Sequence, residues 1–286
     1  MLLLKWSSME VKHRLLNFSN KVIYQNDDWF LFSLDSLLLA NFVTLRKSDK
    51  KILDLCTGNA PVAMFLALKS KASIVGVELQ KEIYDLGKKS VIENGMDKQI
   101  TLINDDIRNI SKYYETDSFD VITCNPPYFK FNDTKMVNEN KIKSIARHEI
   151  MCNLDNILEI SKKMLRTGGV VALVYPVSRL IEIIYKMKEN NIEPKKILII
   201  YPKEGKSANL LLIEGVKNGK SSLKIMPPLY IHNEDGSYKE NIREMKGIEQ
   251  ISIFQELFAT RAQMLFNKDT VSTVISGHNY IILCAN

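Results

Sequence analysis

Short β-branched runs alternating with amphipathic stretches constrain this chain more than any other feature. The runs are Lys51–Leu55, Ser73–Glu78, Ile100–Ile103, Phe119–Cys124 and Gly169–Val174, and helical patterns lie among them at Pro61–Lys69, Lys81–Asn94 and Asn153–Leu165. Strands and helices of these lengths in alternation build βαβ units. They predict an α/β fold with a mostly parallel sheet and helices on both faces. An earlier helix, Asp35–Leu45, carries Leu37, Leu38, Leu39 and Phe42 and is expected to pack on the sheet edge. After residue 195 the pattern changes. Lys196–Tyr201 and Ala208–Glu214 flank the basic, turn-rich segment Pro202–Ser207, which leaves no room for a helix. The two strands should therefore pair as an antiparallel hairpin that ends the sheet.

Composition narrows the class. The chain has 286 residues, 45% hydrophobic and 25% charged, the balance of a globular protein with a substantial core. No stretch reaches the roughly 18 apolar residues needed to cross a bilayer, and Met1–Ser8 has too short an apolar run for a signal-peptide core. A cytoplasmic location without a membrane partner is expected. Cys56, Cys124, Cys152 and Cys284 form no Cys-x-x-Cys pair, so they read as small buried hydrophobes and no metal site is expected. The net charge of +6 is mild but unevenly spread. Seven lysines fall between Lys195 and Lys224 against Glu204 and Glu214, and Lys130, Lys135, Lys141, Lys143 and Arg147 cluster against Asp133 and Glu139. Such clusters suit a polyanion, and equally well an ordinary solvated face.

Four motifs fall at strand ends. Asp54-Leu-Cys-Thr-Gly58-Asn-Ala60-Pro sits where a strand turns into a helix. Cys56 and Ala60 stand where a dinucleotide-binding turn would carry glycines, so close approach to a pyrophosphate is disfavoured. A ligand without phosphate, such as S-adenosylmethionine, fits better, with Asp54 and Gly58 as candidate cofactor residues. Glu78, with Leu79 beside it, ends the next strand 20 residues after Gly58, where a carboxylate can accept hydrogen bonds from ribose hydroxyls. Asp105 and Asp106 follow the third strand. One of them, Asp106 in preference to Asp105, is placed to accept from an adenine amino group, although either also suits a helix cap. The most specific motif is Asn125-Pro126-Pro127-Tyr128, at the end of the fourth strand. Consecutive prolines fix the backbone and remove two donors, so the carbonyls nearby are rigid acceptors. With the Asn125 side-chain carbonyl they can orient a planar NH₂ group. Tyr128 offers a face on which a base can stack.

Taken in this order and spacing, Asp54–Gly58, Glu78, Asp106 and Asn125–Tyr128 resemble the amino methyltransferases that carry an Asn-Pro-Pro-Tyr motif. Phe32–Ala40, Ala146–Glu149, Tyr201–Pro202 with Ala208–Leu210, Pro227–Leu229 and Asp235–Tyr238 narrow the resemblance to the bacterial tRNA(Val) adenine-N6 methyltransferase family, over roughly Gln25 to Met245. The resemblance implies a class I methyltransferase (Rossmann-like) fold, S-adenosylmethionine as cofactor and a tRNA adenine beside the anticodon as acceptor. It implies that Glu78 binds ribose, Asp106 the cofactor adenine, and Asn125 with Pro126 the target amino group. Arg147 and His148 are candidate phosphate contacts, or else parts of a helix-start ion-pair cluster. Lys203 and Lys206 are candidate RNA contacts. The implied organisation is an N-terminal extension over 1–25, a methyltransferase domain over 26–245 and a tail over 246–286 without a motif. The tail holds a helix pattern near Ile251–Phe266 and a strand pattern at Tyr280–Cys284. No oligomer is indicated, and a monomer is the simpler expectation. Asn59-Ala60-Pro61 departs from the family's glycine-bearing turn. Three alternatives stand beside this reading. One is a protein glutamine-N5 methyltransferase, for which the roughly 50 residues before the first strand are too few to hold the usual helical domain. Another is a non-catalytic RNA-binding module, which the intact Asn125–Tyr128 opposes. The third is a nicotinamide-dependent oxidoreductase, which the glycine-poor turn opposes.

Overall fold

The computed structural model describes residues 10–15, 20–26, 34–126, 152–246, 271–274 and 282–285. The chain divides into two compact units between Lys239 and Glu240. The first unit holds β1 (Glu10–Arg14), β2 (Val22–Asn26), α1 (Leu34–Phe42), β3 (Lys51–Leu55), α2 (Pro61–Lys69), β4 (Ser73–Glu78), α3 (Lys81–Glu93), β5 (Ile100–Asn104) and β6 (Phe119–Cys124). It continues with α4 (Leu154–Met164), β7 (Leu165–Pro176), α5 (Leu180–Glu189), β8 (Ile192–Tyr201), β9 (Leu210–Lys217), β10 (Lys224–Ile225) and β11 (Leu229–Tyr230). The second unit holds α6 (Glu240–Lys246) and an antiparallel pair, β12 (Val271–Val274) and β13 (Ile282–Ala285). The helix expected near Ile251–Phe266 lies outside the described residues.

One sheet organises the first unit, in the order β10-β8-β9-β7-β6-β3-β4-β5, with β11 following β10 along the same edge of β8. β5, β4, β3, β6 and β7 run parallel, while β9 is antiparallel to both β7 and β8. The expected hairpin is present, and β9 inserts between β7 and β8. Strands buried on both faces need unbroken apolar runs. β6 is buried throughout, and Val170–Tyr175 of β7 are buried as well. The apolar core spreads across both strands and takes in Ile157, Leu158 and Met164 of α4. That helix starts where Asn153 caps it by accepting from the Asn156 N–H at 2.9 Å.

Two placements differ from the sequence expectation. α1 does not lie at the sheet edge: it packs on α2 and on β7, a central strand. Its nearly unbroken burial, from Ser36 to Ala40, explains why. A helix apolar all round cannot rest on an edge with one side in water. The second is an element the sequence did not reveal. β1 and β2 form an antiparallel hairpin held against α3, where the Tyr24 N–H donates to Ser90 Oγ at 2.9 Å. The Asn94 side-chain amide pairs with both backbone groups of Val22, at 3.0 and 2.7 Å.

α1 is tied to the sheet beyond its own packing. Just past its end, the Thr44 N–H and hydroxyl donate to the two Glu214 carboxylate oxygens at 2.7 and 2.8 Å, and Lys196 Nζ lies 3.2 Å from the same carboxylate. Glu214 is 5% exposed, while Thr44 is exposed and Lys196 half-buried, so loss of Glu214 removes a buried acceptor whose donors water can still reach in part. Glu214→Ala is expected to lower unfolding stability by roughly 1–2 kcal/mol in urea titration, whereas an exposed carboxylate would cost under about 0.5 kcal/mol.

Candidate active site at the carboxyl end of the sheet

The chain leaves β3 on one side for β4 and later returns on the other side as β6, so the strand order reverses there. In open α/β sheets a crevice forms outside the strand ends at such a reversal. Four segments emerge into it: Cys56–Ala60 after β3, Glu78–Gln80 after β4, Asn104–Asp106 after β5, and Asn125–Pro126 after β6. The fold therefore gathers Gly58, Glu78, Leu79, Asp105, Asp106, Asn125 and Pro126 at one end of the sheet.

The turn after β3 is wound left-handed at alternate residues: Cys56 at φ 53°, Gly58 at 60° and Ala60 at 71°. Only Gly58 adopts this without steric cost; each of the other two stores roughly 1–2 kcal/mol. The positions that lack glycine thus keep the glycine conformation and add side chains. Pro61 opens α2 directly afterwards, where its missing N–H costs nothing, and the backbone N–H of Ala63 in the first turn is answered by Asp54. Gly76 in β4 leaves the room Thr57 occupies, since a Cβ there would lie 2.8 Å from Thr57 Oγ1.

Asp54 faces inward, not toward the crevice. It is 1% exposed and accepts from Thr57 Oγ1 at 2.5 Å and from Thr123 Oγ1 at 2.6 Å. Burial raises its pKa to about 6, against the pull of the two threonine hydroxyls and a backbone N–H. Glu78 spans the turn from β4. Its Oε2 accepts from the Gly58 N–H at 3.0 Å and its Oε1 from the Gln80 N–H at 2.9 Å. Burial raises its pKa also. Each carboxylate oxygen has two lone pairs, so among the described residues Glu78 keeps acceptor capacity for a vicinal diol. Leu79 beside it is 37% exposed, an apolar face next to those acceptors. Asn104 fastens this segment by donating to the carbonyls of Glu78 and Leu79 at 2.9 and 3.0 Å.

Asp105 and Asp106 are both engaged locally. Asp105 accepts from the Asp106 N–H, Asn109 Nδ2 and the Tyr113 hydroxyl. Asp106 caps a 3-10 turn over Ile107–Lys112 and holds the Arg108 guanidinium at 2.9 and 2.5 Å. Hydrogen bonds from these partners lower both pKa values. Counting partners among the described residues, each carboxylate keeps one unfilled acceptor position on Oδ2.

Asn125 ends β6 half-buried, with Pro126 buried after it. Its Nδ2 donates to Ser36 Oγ of α1 at 3.2 Å. Three thiols line the same end of the sheet: Cys56 Sγ lies 2.8 Å from Cys152 Sγ, with Cys124 buried beside them. Hydrogen bonding to Cys124 and Cys152, and then burial, hold the Cys56 thiol well above its usual range, and burial does the same for Cys124. Both thiols are therefore neutral at pH 7.

Pro127, Tyr128, Arg147 and His148 lie outside the described residues. Lys203 and Lys206 sit in the β8–β9 connection, Lys206 exposed. Sequence reasoning passed over Ser36, Thr57, Asn104 and Thr123, whose roles arise from contacts distant in sequence. All four fell within or beside segments already singled out, but the sequence assigned none of them a role.

Among the described residues no group of three or more His, Cys, Asp or Glu side chains is arranged to hold a metal ion. The donor set here, an acidic acceptor pair beside an apolar surface, suits an adenosine ligand. Comparisons with known proteins agree. A family model described as "Methyltransferase domain" matches residues 46–227. A protein of Photobacterium profundum named tRNA1(Val) (adenine(37)-N6)-methyltransferase is 25% identical over 209 residues, 72% of this chain and 85% of that one. One of the same name from Aliivibrio salmonicida is 28% identical over 211 residues, 71% of this chain and 84% of that one. Among solved structures, a predicted O-methyltransferase from Agrobacterium tumefaciens superposes with a TM-score of 0.59 at 18% identity, covering 74% of this chain and 94% of that one. P. horikoshii TYW2 in complex with MeSAdo gives 0.51 at 12% identity, covering 74% and 73%. These two likenesses are of fold.

Asp54 should leave a mark on the pH dependence of stability. Its folded pKa exceeds the ordinary 3.8, so the native state binds the proton more tightly than the unfolded chain. The contribution is full below about pH 4 and is lost as pH rises through about 6, a swing of roughly 3 kcal/mol. The stability of wild type relative to Asp54→Asn, measured by denaturant unfolding, is expected to fall by that order between pH 4 and 6.5. A difference that stays flat with pH would contradict a buried, titrating Asp54.

Proposed function

The chain belongs to this methyltransferase-domain family, and on that premise we propose that it transfers a methyl group from S-adenosylmethionine to the N6 amino group of an adenine in tRNA. The observation that carries the acceptor chemistry is the position of Asn125 and Pro126, at the end of β6 beside the strand reversal, with Glu78 at the end of β4. The names of the Photobacterium and Aliivibrio relatives support adenine-N6 of tRNA, next to the anticodon, as the acceptor.

When bound, the cofactor supplies a methyl group on a sulfonium. Glu78 accepts the ribose hydroxyls, Leu79 offers an apolar surface to the adenine, and Asp106, with Asp105 as second choice, accepts from its amino group. Gly58 lets the turn come close to the ligand, and Asp54 supports that turn from beneath. Asn125 Oδ1 and the rigid carbonyl at Pro126 accept the two amino protons of the target adenine. This turns the nitrogen lone pair toward the methyl and places negative dipoles where positive charge grows on nitrogen. The methyl moves from sulfur to nitrogen, and the extra proton leaves to water, so no side-chain base is required. Pro127 keeps the carbonyls rigid and Tyr128 stacks on the base. Arg147, His148, Lys203 and Lys206 contact tRNA phosphates.

β8 runs in the same direction as β6, so the β8–β9 connection carrying Lys203 and Lys206 opens at the same end of the sheet as Asn125. This favours a polyanionic substrate over a protein glutamine. Among the described residues no helix is long and apolar enough to cross a membrane, and the reading places the enzyme with its tRNA in the cytoplasm.

Incubation with labelled S-adenosylmethionine and either bulk tRNA or release factor tests the acceptor. N6-methyladenosine in tRNA, identified by nucleoside mass spectrometry, is expected; label confined to the protein would overturn the assignment. Asn125→Ala is expected to leave cofactor affinity nearly unchanged and to cut turnover by about 10²-fold or more. Near-normal turnover would remove Asn125 from the chemistry. Alanine at Lys203 and Lys206 is expected to weaken tRNA binding and to reduce the salt slope by about 1 for each phosphate no longer neutralised; an unchanged slope would exclude that loop from the interface.

A further inference from the structure

We infer that Ser36 is a positioning residue for the methyl-transfer step, fixing which end of the Asn125 amide faces the acceptor amine. The inference rests on the reading of Asn125 given above and extends it to a residue that does not itself touch substrate. A carboxamide is nearly symmetric in shape but opposite in function at its two ends: the oxygen accepts and the nitrogen donates. Rotated by half a turn, Asn125 would present N–H groups to the N–H groups of an amine, and only the Pro126 carbonyl would be left to hold the target. Something must therefore engage the nitrogen elsewhere.

Ser36 Oγ does so, accepting from Asn125 Nδ2 at 3.2 Å across 89 residues of sequence. With the nitrogen committed to α1, Oδ1 is turned to the other side. Ser36 is 2% exposed and lies in a run of buried residues with Leu37, Leu38, Leu39 and Ala40. Alanine is the better helix former at such a position and buries no hydroxyl. A serine there needs a partner, and the one it has is the acceptor motif. The helix is also held firmly: α1 packs on α2 and β7, and Thr44 beyond it is bonded to Glu214. Ser36 therefore reaches Asn125 from a rigid support, which is what keeping an amide in one orientation requires.

Two measurements test this, one of turnover and one independent of substrate. Ser36→Ala is expected to lower kcat by about 10- to 100-fold, with KM for tRNA, cofactor Kd and Tm little changed. Ser36→Thr, which keeps the hydroxyl, is expected to recover most of the rate. In the Asn125→Ala background, Ser36→Ala should add no further loss, because the residue acts only through that amide. Separately, NMR of protein labelled with ¹⁵N-asparagine, with the Asn125 signal assigned by its absence in Asn125→Ala, should show a side-chain amide protected from exchange. Protection should survive in Ser36→Thr and disappear in Ser36→Ala. Unchanged protection in Ser36→Ala, an unchanged kcat, or an equal extra loss in the Asn125→Ala background would each overturn the inference. If Ser36→Ala exposes the amide as expected while wild type methylates no tRNA, the acceptor assignment has failed and the positioning role stands.

Discussion

One buried carboxylate keeps the two halves of the site in register. Asp54, at the end of β3, takes one hydroxyl from Thr57 in the left-handed turn and another from Thr123, two residues before Asn125. The turn beside Glu78 and the strand that presents Asn125 are thus bonded to the two oxygens of one carboxylate. The arrangement carries a penalty, since burial raises the carboxyl pKa to about 6. A neutral side chain of similar size would avoid that penalty but would offer fewer acceptors to two hydroxyls. At neutral pH the ionised form is favoured, and charge-assisted bonds from two neutral donors are strong enough to hold neighbouring strands in a fixed relation. Methyl transfer requires donor and acceptor atoms in line, where small displacements cost rate. A rigid link between the two strands is the structural counterpart of that requirement.

The turn itself is a second constraint. Cys56 and Ala60 hold left-handed angles that glycine would adopt freely. The strain persists because the surroundings over-determine it. The Thr57 N–H bonds to the Val77 carbonyl at 2.9 Å, the Gly58 N–H bonds to Glu78, and the Asn59 side chain donates to the Tyr24 carbonyl at 2.8 Å. That last bond gives the N-terminal hairpin a purpose, for β2 braces the turn from outside the sheet. The side chain at Cys56 also helps form a wall of thiols with Cys124 and Cys152. A glycine turn would lack that wall, and a pyrophosphate-binding turn could not tolerate it so close.

Much of this was legible in the sequence because it is periodic or local. The five parallel strands announced themselves by apolar runs, and the β8–β9 hairpin by the absence of room for a helix. Glu78 was legible by its spacing, and Asn125 by its prolines. The unread parts are those fixed by contacts between distant segments. Glu-Val-Lys-His-Arg of β1 alternates too weakly to be recognised as a strand, and it is stabilised by β2 and by ion pairs of Lys12 with Glu93 and of Glu10 with Lys89. The thiol cluster joins positions 56, 124 and 152, which no spacing rule connects. Asp54 read as a ligand contact because it opens the motif, yet its carboxylate points down the strand end into the core. The orientation of a side chain at a strand terminus depends on what the neighbouring strand offers, here Thr123, and a single strand cannot reveal that.

The antiparallel strand has a consequence for the whole edge. Had β8 followed β7 as another parallel strand, its carboxyl end would still lie on the catalytic side, but the chain would have to leave through a helix covering that end. Inserting β9 between them lets the chain turn back at once, through the short basic segment Pro202–Ser207. The following segment then lies along β8, with Leu229 beside Ile200 and Tyr230 beside Tyr201. This brings the Tyr201 and Tyr230 rings to 5.3 Å and stacks His232 on Tyr238 at 4.8 Å. The rim that results carries lysines and flat side chains on a backbone pinned by sheet hydrogen bonds. A substrate much larger than the crevice needs such a surface: small-molecule chemistry is decided at the strand ends, whereas an extended polyanion must be held in register by contacts well away from the reacting atom. On the function proposed above, the hairpin would supply that second surface while leaving the parallel strands, and the carboxylate that ties them, undisturbed.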